Sequence, residues 1–220
     1  MNPARPARGE LAARLRLIVI TDRELARPRE VTDVVAAALR AGAPAVQLRE
    51  KVLPPRDTLP LARRLRTETE AARALFFVND RLDLALAVGA DGVHLGSDDV
   101  PVSAARRIAP PGFLIGYSAD DPDAARTAVA DGADYIGCGA VFPTNTKKDA
   151  GRAVGLAGLA RVVEAVDAPV VAIGGIAPAS AAGVFRAGAA GCAVVGAVMA
   201  ARDPGHVVDG LLGAGGAEVS

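Results

Sequence analysis

Short apolar runs alternate along the chain with longer segments of helical periodicity. Leu15–Ile20 is a run rich in Leu, Ile and Val, whereas Asp57–Arg73 carries leucines and alanines on one side and charged residues on the other. Apolar runs that do not alternate with polar residues are typical of strands with both faces buried. The pattern therefore predicts parallel β-strands, each followed by an α-helix.

Eight such strand–helix pairs follow one another. The strands are predicted at Leu15–Ile20, Pro44–Arg49, Ala74–Val78, Gly92–Leu95, Phe113–Tyr117, Tyr135–Cys138, Pro169–Ile173 and Cys192–Val195. The helices are predicted at Val31–Arg40, Asp57–Arg73, Leu82–Val88, Pro101–Ile108, Pro122–Ala130, Leu156–Val166, Pro178–Ala187 and Val207–Leu212.

Eight units in 220 residues predict the α/β class and a single-domain (β/α)8 TIM barrel. The barrel is expected over residues 15–213, with a flexible N-terminal tail at 1–14 and a C-terminal tail at 214–220. A doubly wound open sheet is the alternative, and it is disfavoured because no G-x-G-x-x-G follows the first strand.

The composition narrows the classes of partner. Lys plus Arg and Asp plus Glu both number 25, and this balance argues against nucleic-acid and anionic-membrane partners. Cys138 and Cys192 lie in separate apolar runs without metal-ligand spacing, which favours buried reduced thiols in a cytoplasmic protein. No apolar run approaches membrane-spanning length. Small-molecule substrates are therefore the expected partners, and a homo-oligomer is left open.

Polar or glycine clusters follow nearly every predicted strand, and barrel active sites are built at these carboxyl ends. Gln47 and Arg49 are two residues apart, so they point the same way from their strand, and Lys51 follows in the loop. Arg and Lys donors suit phosphate oxygens. The alternative is an exposed surface run of charged residues.

Two acids, Asp80 and Asp99, end successive predicted strands and are expected to converge on one hard cation. Mg²⁺ shared with substrate phosphates fits such a pair. The alternatives are a helix cap at Asp80 and a turn or cap at Asp99 before Pro101. His94 lies within a strand and is predicted to be a hydrogen-bonded structural residue. No Ser–His–Asp or Cys–His set is present, which disfavours acyl transfer.

The segment Gly139–Asp149, GAVFPTNTKKD, places hydroxyls, an amide and two lysines between a strand and a helix. Such donors suit an anionic ligand, and the alternative is a solvated loop with an exposed lysine pair. Gly174–Gly175 and Gly196 follow the last two strands, where barrels usually bind phosphate, although ordinary tight turns also use glycine. Together these groups indicate a diphosphate leaving group and a second, monophosphorylated acceptor.

Motifs in this order resemble the thiamin-phosphate synthase/thiazole tautomerase family. They span nearly the whole chain and comprise V-I-T-D at 19–22, Q-L-R-E-K at 47–51, V-N-D at 78–80, D-G-V-H-L-G-S-D-D at 91–99, G-Y-S-A at 116–119, P-T-N-T-K-K-D at 143–149, I-G-G-I at 173–176 and V-V-G-A at 194–197. Any one of these motifs is weak evidence, whereas the ordered set is specific.

The resemblance implies a role for each matching residue. The pyrimidine diphosphate would be bound by Gln47, Arg49, Lys51, Asn79, Ser118 and Lys147, of which Arg49, Lys51, Ser118 and Lys147 would act in catalysis. Mg²⁺ would be held by Asp80 and Asp99. The thiazole phosphate would be bound by Thr144, Asn145, Thr146, Gly175, Val195 and Gly196.

The reaction implied by the resemblance is transfer of a pyrimidinylmethyl group. The enzyme would join the methylene of hydroxymethylpyrimidine diphosphate to the nitrogen of the thiazole phosphate, or of its carboxylated form, and release pyrophosphate. The path would be a dissociative, Mg²⁺-assisted displacement through a pyrimidine carbocation. The alternatives are a thiazole tautomerase and a non-catalytic phosphate-binding barrel.

Four residues depart from the family pattern. Ser97 stands where Gln is usual, Tyr117 replaces a smaller apolar residue, and Gly196 stands where Ser often binds the thiazole phosphate. Asp120 occupies a position where members, especially tautomerases, carry His. The lost His argues against tautomerase activity, and the retained acids argue for the synthase.

Overall fold

The eight strands close into one parallel barrel surrounded by helices. The computed structural model describes residues 6–144 and 153–214, and the strand order is β1 to β8 in sequence, with β8 pairing back to β1. The strands are β1 Leu17–Ile20, β2 Ala45–Leu48, β3 Leu75–Asn79, β4 Gly92–Leu95, β5 Leu114–Ser118, β6 Tyr135–Cys138, β7 Val170–Ile173 and β8 Gly191–Val194. The predicted TIM barrel is therefore confirmed.

Helices follow every strand. Those that correspond to the predicted ones are α3 Val31–Arg40, α4 Pro55–Ala71, α5 Leu82–Ala87, α6 Val102–Ile108, α7 Pro122–Ala130, α8 Gly155–Ala165, α9 Pro178–Arg186 and α11 Pro204–Gly213. Three further helices, α1 Arg8–Arg14, α2 Arg23–Ala26 and α10 Gly196–Met199, were not predicted. None of the helices in the described ranges is both long and apolar enough to cross a membrane.

Two hydrophobic cores explain why the strands are apolar on both faces. Neighbouring residues of a strand point to opposite sides, so Phe76 packs between the barrel and its helices whereas Phe77 packs inside the barrel. In the same way, Val19 packs between the barrel and its helices and Ile18 packs inside the barrel. Cys138 and Cys192 are buried free thiols, as predicted, and burial raises the pKa of each to about 12.

Helix α1 occupies Arg8–Arg14, the last half of the N-terminal tail that was predicted to be flexible, whereas residues 1–5 lie outside the described residues. Leu11 in the helix and Leu15 directly after it are buried against the residues that fill the barrel interior. Their spacing of four places both side chains on one face of the helix. Helix α1 is therefore packed at the end where the strands begin, opposite the predicted site. Leu15 and Arg16, predicted to open the first strand, consequently precede β1.

Several other helices and strands begin or end at residues different from those predicted. Helix α11 begins at Pro204 rather than Val207, because Asp203 accepts a hydrogen bond from the backbone N–H of His206. Helix α4 begins at Pro55, two residues before the predicted start, with Pro in its first turn. Strand β5 extends to Ser118, which brings that side chain to the end of the sheet.

Carboxylates also occur at the amino ends of the strands, at the opposite end of the barrel from the predicted site. Asp91 accepts hydrogen bonds from Phe76 N at 2.8 Å and from the Arg66 guanidinium at 2.9 Å. Asp134 does the same for Ile115 N, at 2.7 Å, and for Arg106. These acids tie helices to neighbouring strands, and they lie away from the carboxyl ends where the predicted site residues are found.

Replacing Gly191 with Ala is expected to lower the free energy of unfolding by about 3 kcal/mol, as overpacking of a tight core does. A Cβ at this position would lie 1.9 Å from the carbonyl oxygen of Leu15 and 2.8 Å from Arg16 Cα, so backbone would have to move. The control is Gly9→Ala in helix α1, where a Cβ meets nothing within 4 Å. Chemical denaturation of both variants would contradict the prediction if their midpoints were equal.

Candidate active site

A cavity of about 470 Å³ lies at the carboxyl ends of the strands, within the usual size range of ligand pockets. The predicted site residues that line it are Gln47, Arg49, Lys51, Asn79, Asp80, Asp99, Ser118, Thr144, Gly175, Val195 and Gly196. Asn145, Thr146 and Lys147 lie outside the described residues. Side chains and backbone from seven strand ends therefore meet in one pocket.

The strands β2 and β3 supply a polar corner of the cavity. Gln47 Nε2 donates to Asn79 Oδ1 at 2.8 Å, which fixes both amides. Arg49 follows β2, and its backbone N–H donates to the hydroxyl of Thr21 at 2.9 Å. Its guanidinium lies 3.6 Å from Asp22, and Asp22 also caps α2. These contacts hold the Arg49 side chain at the rim of the pocket.

Asp80 sits at the end of β3 and does not act as the helix cap that was the alternative. Its backbone is left-handed, with φ of +63°, which is uncommon for a residue with a side chain. The N-cap position of α5 is Arg81, and the Asp80 carboxylate instead contacts Lys51 Nζ at 2.5 Å. A strained backbone at a pocket is characteristic of functional positions.

Asp99 approaches Asp80 from the loop after β4. It accepts a hydrogen bond from Gly96 N at 2.7 Å, so the alternative of a turn residue describes its contact with the backbone, while its role as a metal ligand stays a prediction. Burial raises the pKa of Asp99 above its ordinary range, and the charge and hydrogen-bonding contact of Asp80 raise it further. Two carboxyl groups in such close contact repel each other, and a cation between them would relieve that repulsion.

The donor set fits a magnesium ion that shares its ligands with a substrate. Within residues 6–144 and 153–214, no group of three or more His, Cys, Asp or Glu side chains is arranged to hold a metal. Mg²⁺ is often held by one or two carboxylates while water and phosphate oxygens complete its octahedron. Asp80 and Asp99 can provide these two carboxylate ligands. A zinc-type site, which needs more protein ligands, is not seen in these ranges.

The opposite side of the cavity is lined by backbone. Gly174 and Gly175 after β7 both have positive φ, at +95° and +64°, which glycine adopts readily. Val195 and Gly196 follow β8 and also line the cavity. Thr144 reaches the same wall from the loop after β6. Main-chain N–H groups at such turns can approach an anion closely.

Two residues that the sequence analysis did not assign to the site, His94 and Tyr135, lie in the floor of the cavity. The ring of His94 contacts the Tyr135 hydroxyl at 3.0 Å through Nδ1 and the Ser118 hydroxyl at 2.9 Å through Nε2. Burial lowers the pKa of His94 to about 4, although the charge of Asp80 opposes this, so the ring is neutral near neutral pH. The prediction of a hydrogen-bonded histidine is confirmed, and its second partner is a predicted substrate-binding residue.

Asp120, one of the departures from the family pattern, contacts the loop after β6. Its carboxylate accepts a hydrogen bond from Gly139 N at 2.7 Å and lines the same cavity. The side chain therefore connects the end of β5 to the start of the segment Gly139–Asp149. The sequence flagged the residue only as a missing His, since a contact across 19 positions is set by strand pairing.

Comparisons with known proteins find thiamine-phosphate synthases that match most of the chain. The model of the family described as thiamine monophosphate synthase matches residues 17–198. A thiamine-phosphate synthase of Methanoculleus marisnigri is 52% identical over 187 residues, 85% of this chain and 89% of that protein. One of Archaeoglobus fulgidus is 50% identical over 190 residues, 86% and 88% of the two chains. The solved structure of thiamine phosphate pyrophosphorylase from Pyrococcus furiosus has a TM-score of 0.85 and 46% identity, covering 93% and 96%.

Proposed function

The chain belongs to the thiamine monophosphate synthase family, and from this premise we propose that it is a thiamine-phosphate synthase. It transfers the pyrimidinylmethyl group of hydroxymethylpyrimidine diphosphate to the nitrogen of the thiazole phosphate or its carboxylated form. The observation that carries the proposal is the single cavity in which two cationic side chains, two facing carboxyl groups and a glycine-lined wall meet. Such a cavity suits one diphosphate and one monophosphate.

With the thiazole phosphate itself as acceptor, the proposed reaction balances without an acid or base. The carboxylated form would in addition release CO2 and take up a proton from solvent at the ring carbon that carried the carboxyl group. The bond between the pyrimidine methylene carbon and the diphosphate oxygen breaks, and its electron pair leaves with the pyrophosphate. The lone pair of the thiazole nitrogen then forms the new C–N bond, and the ring becomes a thiazolium. No proton is gained or lost by the methylene carbon that reacts, which agrees with a cavity whose histidine is neutral near neutral pH.

The diphosphate side of the site is assigned to the polar corner. Arg49 and Lys51 neutralise phosphate oxygens, and their charge counts most as the leaving group gains charge. The Gln47–Asn79 amide pair is fixed by its own hydrogen bond, so it presents donors in a defined position. Ser118 adds a hydroxyl, and Lys147 is proposed from its position in the sequence to add a further cation.

Magnesium is assigned to Asp80 and Asp99. A bound Mg²⁺ would supply Lewis-acid stabilisation of the pyrophosphate oxygens. Asp99 is anchored by Gly96 N and Asp80 by Lys51, and the two carboxyl groups interact with each other. These anchors hold the acids in place so that a diphosphate entering the cavity meets both the acids and Lys51.

The thiazole phosphate is assigned to the backbone-lined wall. Gly175, Val195 and Gly196 offer main-chain N–H groups, and Thr144 offers a hydroxyl. Asn145 and Thr146 are added on the sequence pattern alone. Gly196 lacks the Ser hydroxyl that family members often use, so the phosphate contact at this position is a main-chain one.

The rival activities fit the cavity less well. A thiazole tautomerase has no need of two acids suited to a metal, and the Asp120 carboxylate is engaged with Gly139 N. A phosphate-binding barrel without catalysis would not need the left-handed Asp80 beside a second carboxyl group. We further place the enzyme in the cytoplasm, since both cysteines are buried free thiols that suit a reducing compartment.

The test of the function is a coupling assay with the purified protein. Mg²⁺, the pyrimidine diphosphate and the thiazole phosphate are mixed with it, and thiamine phosphate and pyrophosphate are expected in equal amounts. Adding a chelator is expected to stop the reaction. No product in the complete mixture would remove the proposed synthase, and full turnover with the chelator would remove the assigned role of Mg²⁺. A parallel incubation with the thiazole tautomer tests the rival isomerase.

A further inference from the structure

A hydrogen-bonded chain of three side chains crosses neighbouring strands beneath the cavity. His94 on β4 pairs in register with Gly116 on β5, and Gly116 pairs with Tyr135 on β6. The imidazole therefore lies between the Tyr135 hydroxyl, 3.0 Å from Nδ1, and the Ser118 hydroxyl, 2.9 Å from Nε2. All three side chains line the cavity, but Tyr135 is buried in its floor whereas Ser118 is exposed. The hydrogen bonds among these three side chains thus connect the barrel interior to the cavity.

Two glycines make room for these rings. A Cβ at Gly116 would lie 2.4 Å from the Tyr135 hydroxyl oxygen, and a Cβ at Gly137 would lie 2.9 Å from His94 Cε1. Both distances are shorter than real side-chain contacts, so a side chain at either position would displace a ring. Tyr135 is further fixed by an edge contact with Phe77, with ring centroids 5.5 Å apart. The backbone is thus shaped to hold both rings in one arrangement.

The direction of the hydrogen bonds follows from burial. A neutral imidazole donates from one nitrogen and accepts at the other. Within residues 6–144 and 153–214, the hydrogen bond made by the Tyr135 hydroxyl is the one to His94. Because a buried donor without an acceptor is costly, the Tyr135 proton points to Nδ1. Nε2 then carries the proton of the ring and donates it to Ser118 Oγ.

We propose that Tyr135 and His94 are positioning residues that turn the Ser118 proton into the cavity, where it donates to an oxygen of the departing diphosphate. Since Ser118 Oγ accepts from His94 Nε2, its own hydrogen is left to donate elsewhere. The group is then a fixed donor rather than a base or nucleophile. The diphosphate part of this inference rests on the proposed function, whereas the orientation of the proton does not.

A fixed donor is useful because charge grows on the leaving oxygen as the C–O bond breaks. Donors already aimed at that oxygen need no rearrangement during the reaction and act most strongly away from water. A serine free to rotate would instead donate to His94 for part of the time, and its oxygen lone pairs would then face the anion. The inference therefore predicts a loss in turnover, with little change in substrate binding, when Tyr135 loses its hydroxyl.

The first experiment measures the tautomer of His94 directly by ¹H–¹⁵N correlation spectra of the imidazole nitrogens. The chain has two histidines, so a His206→Gln variant of an exposed helix residue identifies the His94 signals. The expected result is a neutral ring protonated at Nε2 in the wild type, and a mixture of tautomers in Tyr135→Phe. A ring protonated at Nδ1 in the wild type would overturn the proposal.

The second experiment is a double-mutant cycle on turnover. Ser118→Ala is expected to lower kcat about 100-fold, as loss of one oxyanion donor does. Tyr135→Phe is expected to lower kcat about tenfold and to leave KM for the pyrimidine diphosphate nearly unchanged, the effect of weakening one hydrogen bond. In the Ser118→Ala background, Tyr135→Phe is expected to cost nothing further.

The control is Tyr117→Phe, which removes the same hydroxyl from the other tyrosine of the chain, whose ring packs outside the barrel. It is expected to keep wild-type kcat. Equal losses from Tyr135→Phe with and without the Ser118 hydroxyl would overturn the proposal, because the tyrosine would then act only on stability. A protein that makes no thiamine phosphate would remove the proposed function, while the His94 spectra would still decide which way the Ser118 proton points.

Discussion

Replacing Asp80 with Asn is expected to lower kcat/KM for the coupling reaction by about 100- to 1,000-fold, the range seen when one stabilising contact to a developing anion is lost. The substitution keeps the shape of the side chain and removes its charge. Asn also tolerates the left-handed backbone at φ of +63°, which Ala would strain. A loss of activity therefore reports on the carboxylate rather than on the fold.

The matched control is Asp98→Asn, which makes the same change next to Asp99. Asp98 is exposed, and its recorded hydrogen bond is a 3.3 Å contact from Ser97. We expect this variant to keep nearly full kcat/KM at every Mg²⁺ concentration, whereas Asp80→Asn needs more Mg²⁺ for its remaining activity. If the two variants lost activity equally, or if Asp80→Asn kept the Mg²⁺ dependence of the wild type, the metal site would not be at Asp80 and Asp99.

Replacing Arg49 with Gln is expected to lower kcat/KM by about 100-fold or more, since a guanidinium makes charge-assisted, two-pronged contacts with phosphate oxygens. The side chain lines the cavity, and its backbone is fixed by the Thr21 hydroxyl. Arg49→Lys keeps the charge but not the planar fork, so it is expected to recover only part of the loss. The pyrimidine diphosphate is the substrate whose KM is expected to rise most.

The control for this prediction is Arg23→Gln. Arg23 lies nearby but contacts Glu50, with nitrogen–oxygen distances of 3.2 and 3.0 Å, and lines a second groove rather than the cavity. The Arg23 side chain is 44% exposed, whereas that of Glu50 is only 9% exposed. Gln at position 23 can still donate a hydrogen bond to Glu50, so little change in activity is expected. Steady-state kinetics with each substrate varied in turn would contradict the assignment if Arg49→Gln raised only the KM for the thiazole phosphate.

Most strands and helices of the barrel could be predicted from the sequence, because the patterns that define them are local. Apolar runs such as Val170–Ile173 read as doubly buried strands without reference to the rest of the chain, and glycines after helices set the turns. Their order alone then places Arg49, Asp80 and Ser118 at the same mouth of a closed barrel. Helix α1 was missed because its reason for forming, the burial of Leu11 at the barrel floor, is a tertiary contact.

The candidate site, like the fold, was predictable from the sequence only in part. The residue types at the strand ends could be listed from the sequence, because each follows its own strand directly. Which of them touch could not be listed, since Lys51 contacts Asp80 across 29 positions and Tyr135 contacts His94 across 41. Such pairs depend on strand register, which determines how residues on neighbouring strands line up.

By itself, the amino-acid sequence determined a closed barrel whose polar, cationic and glycine-rich strand ends lie at one mouth, since hydrophobic periodicity and chain order are sufficient for both. Only the tertiary structure decided that two acids share one space, that Asp120 fastens the loop after β6, and that a buried tyrosine and histidine stand behind Ser118. The reason is that hydrogen-bond direction and carboxylate repulsion depend on distances of about 3 Å between residues far apart in the chain.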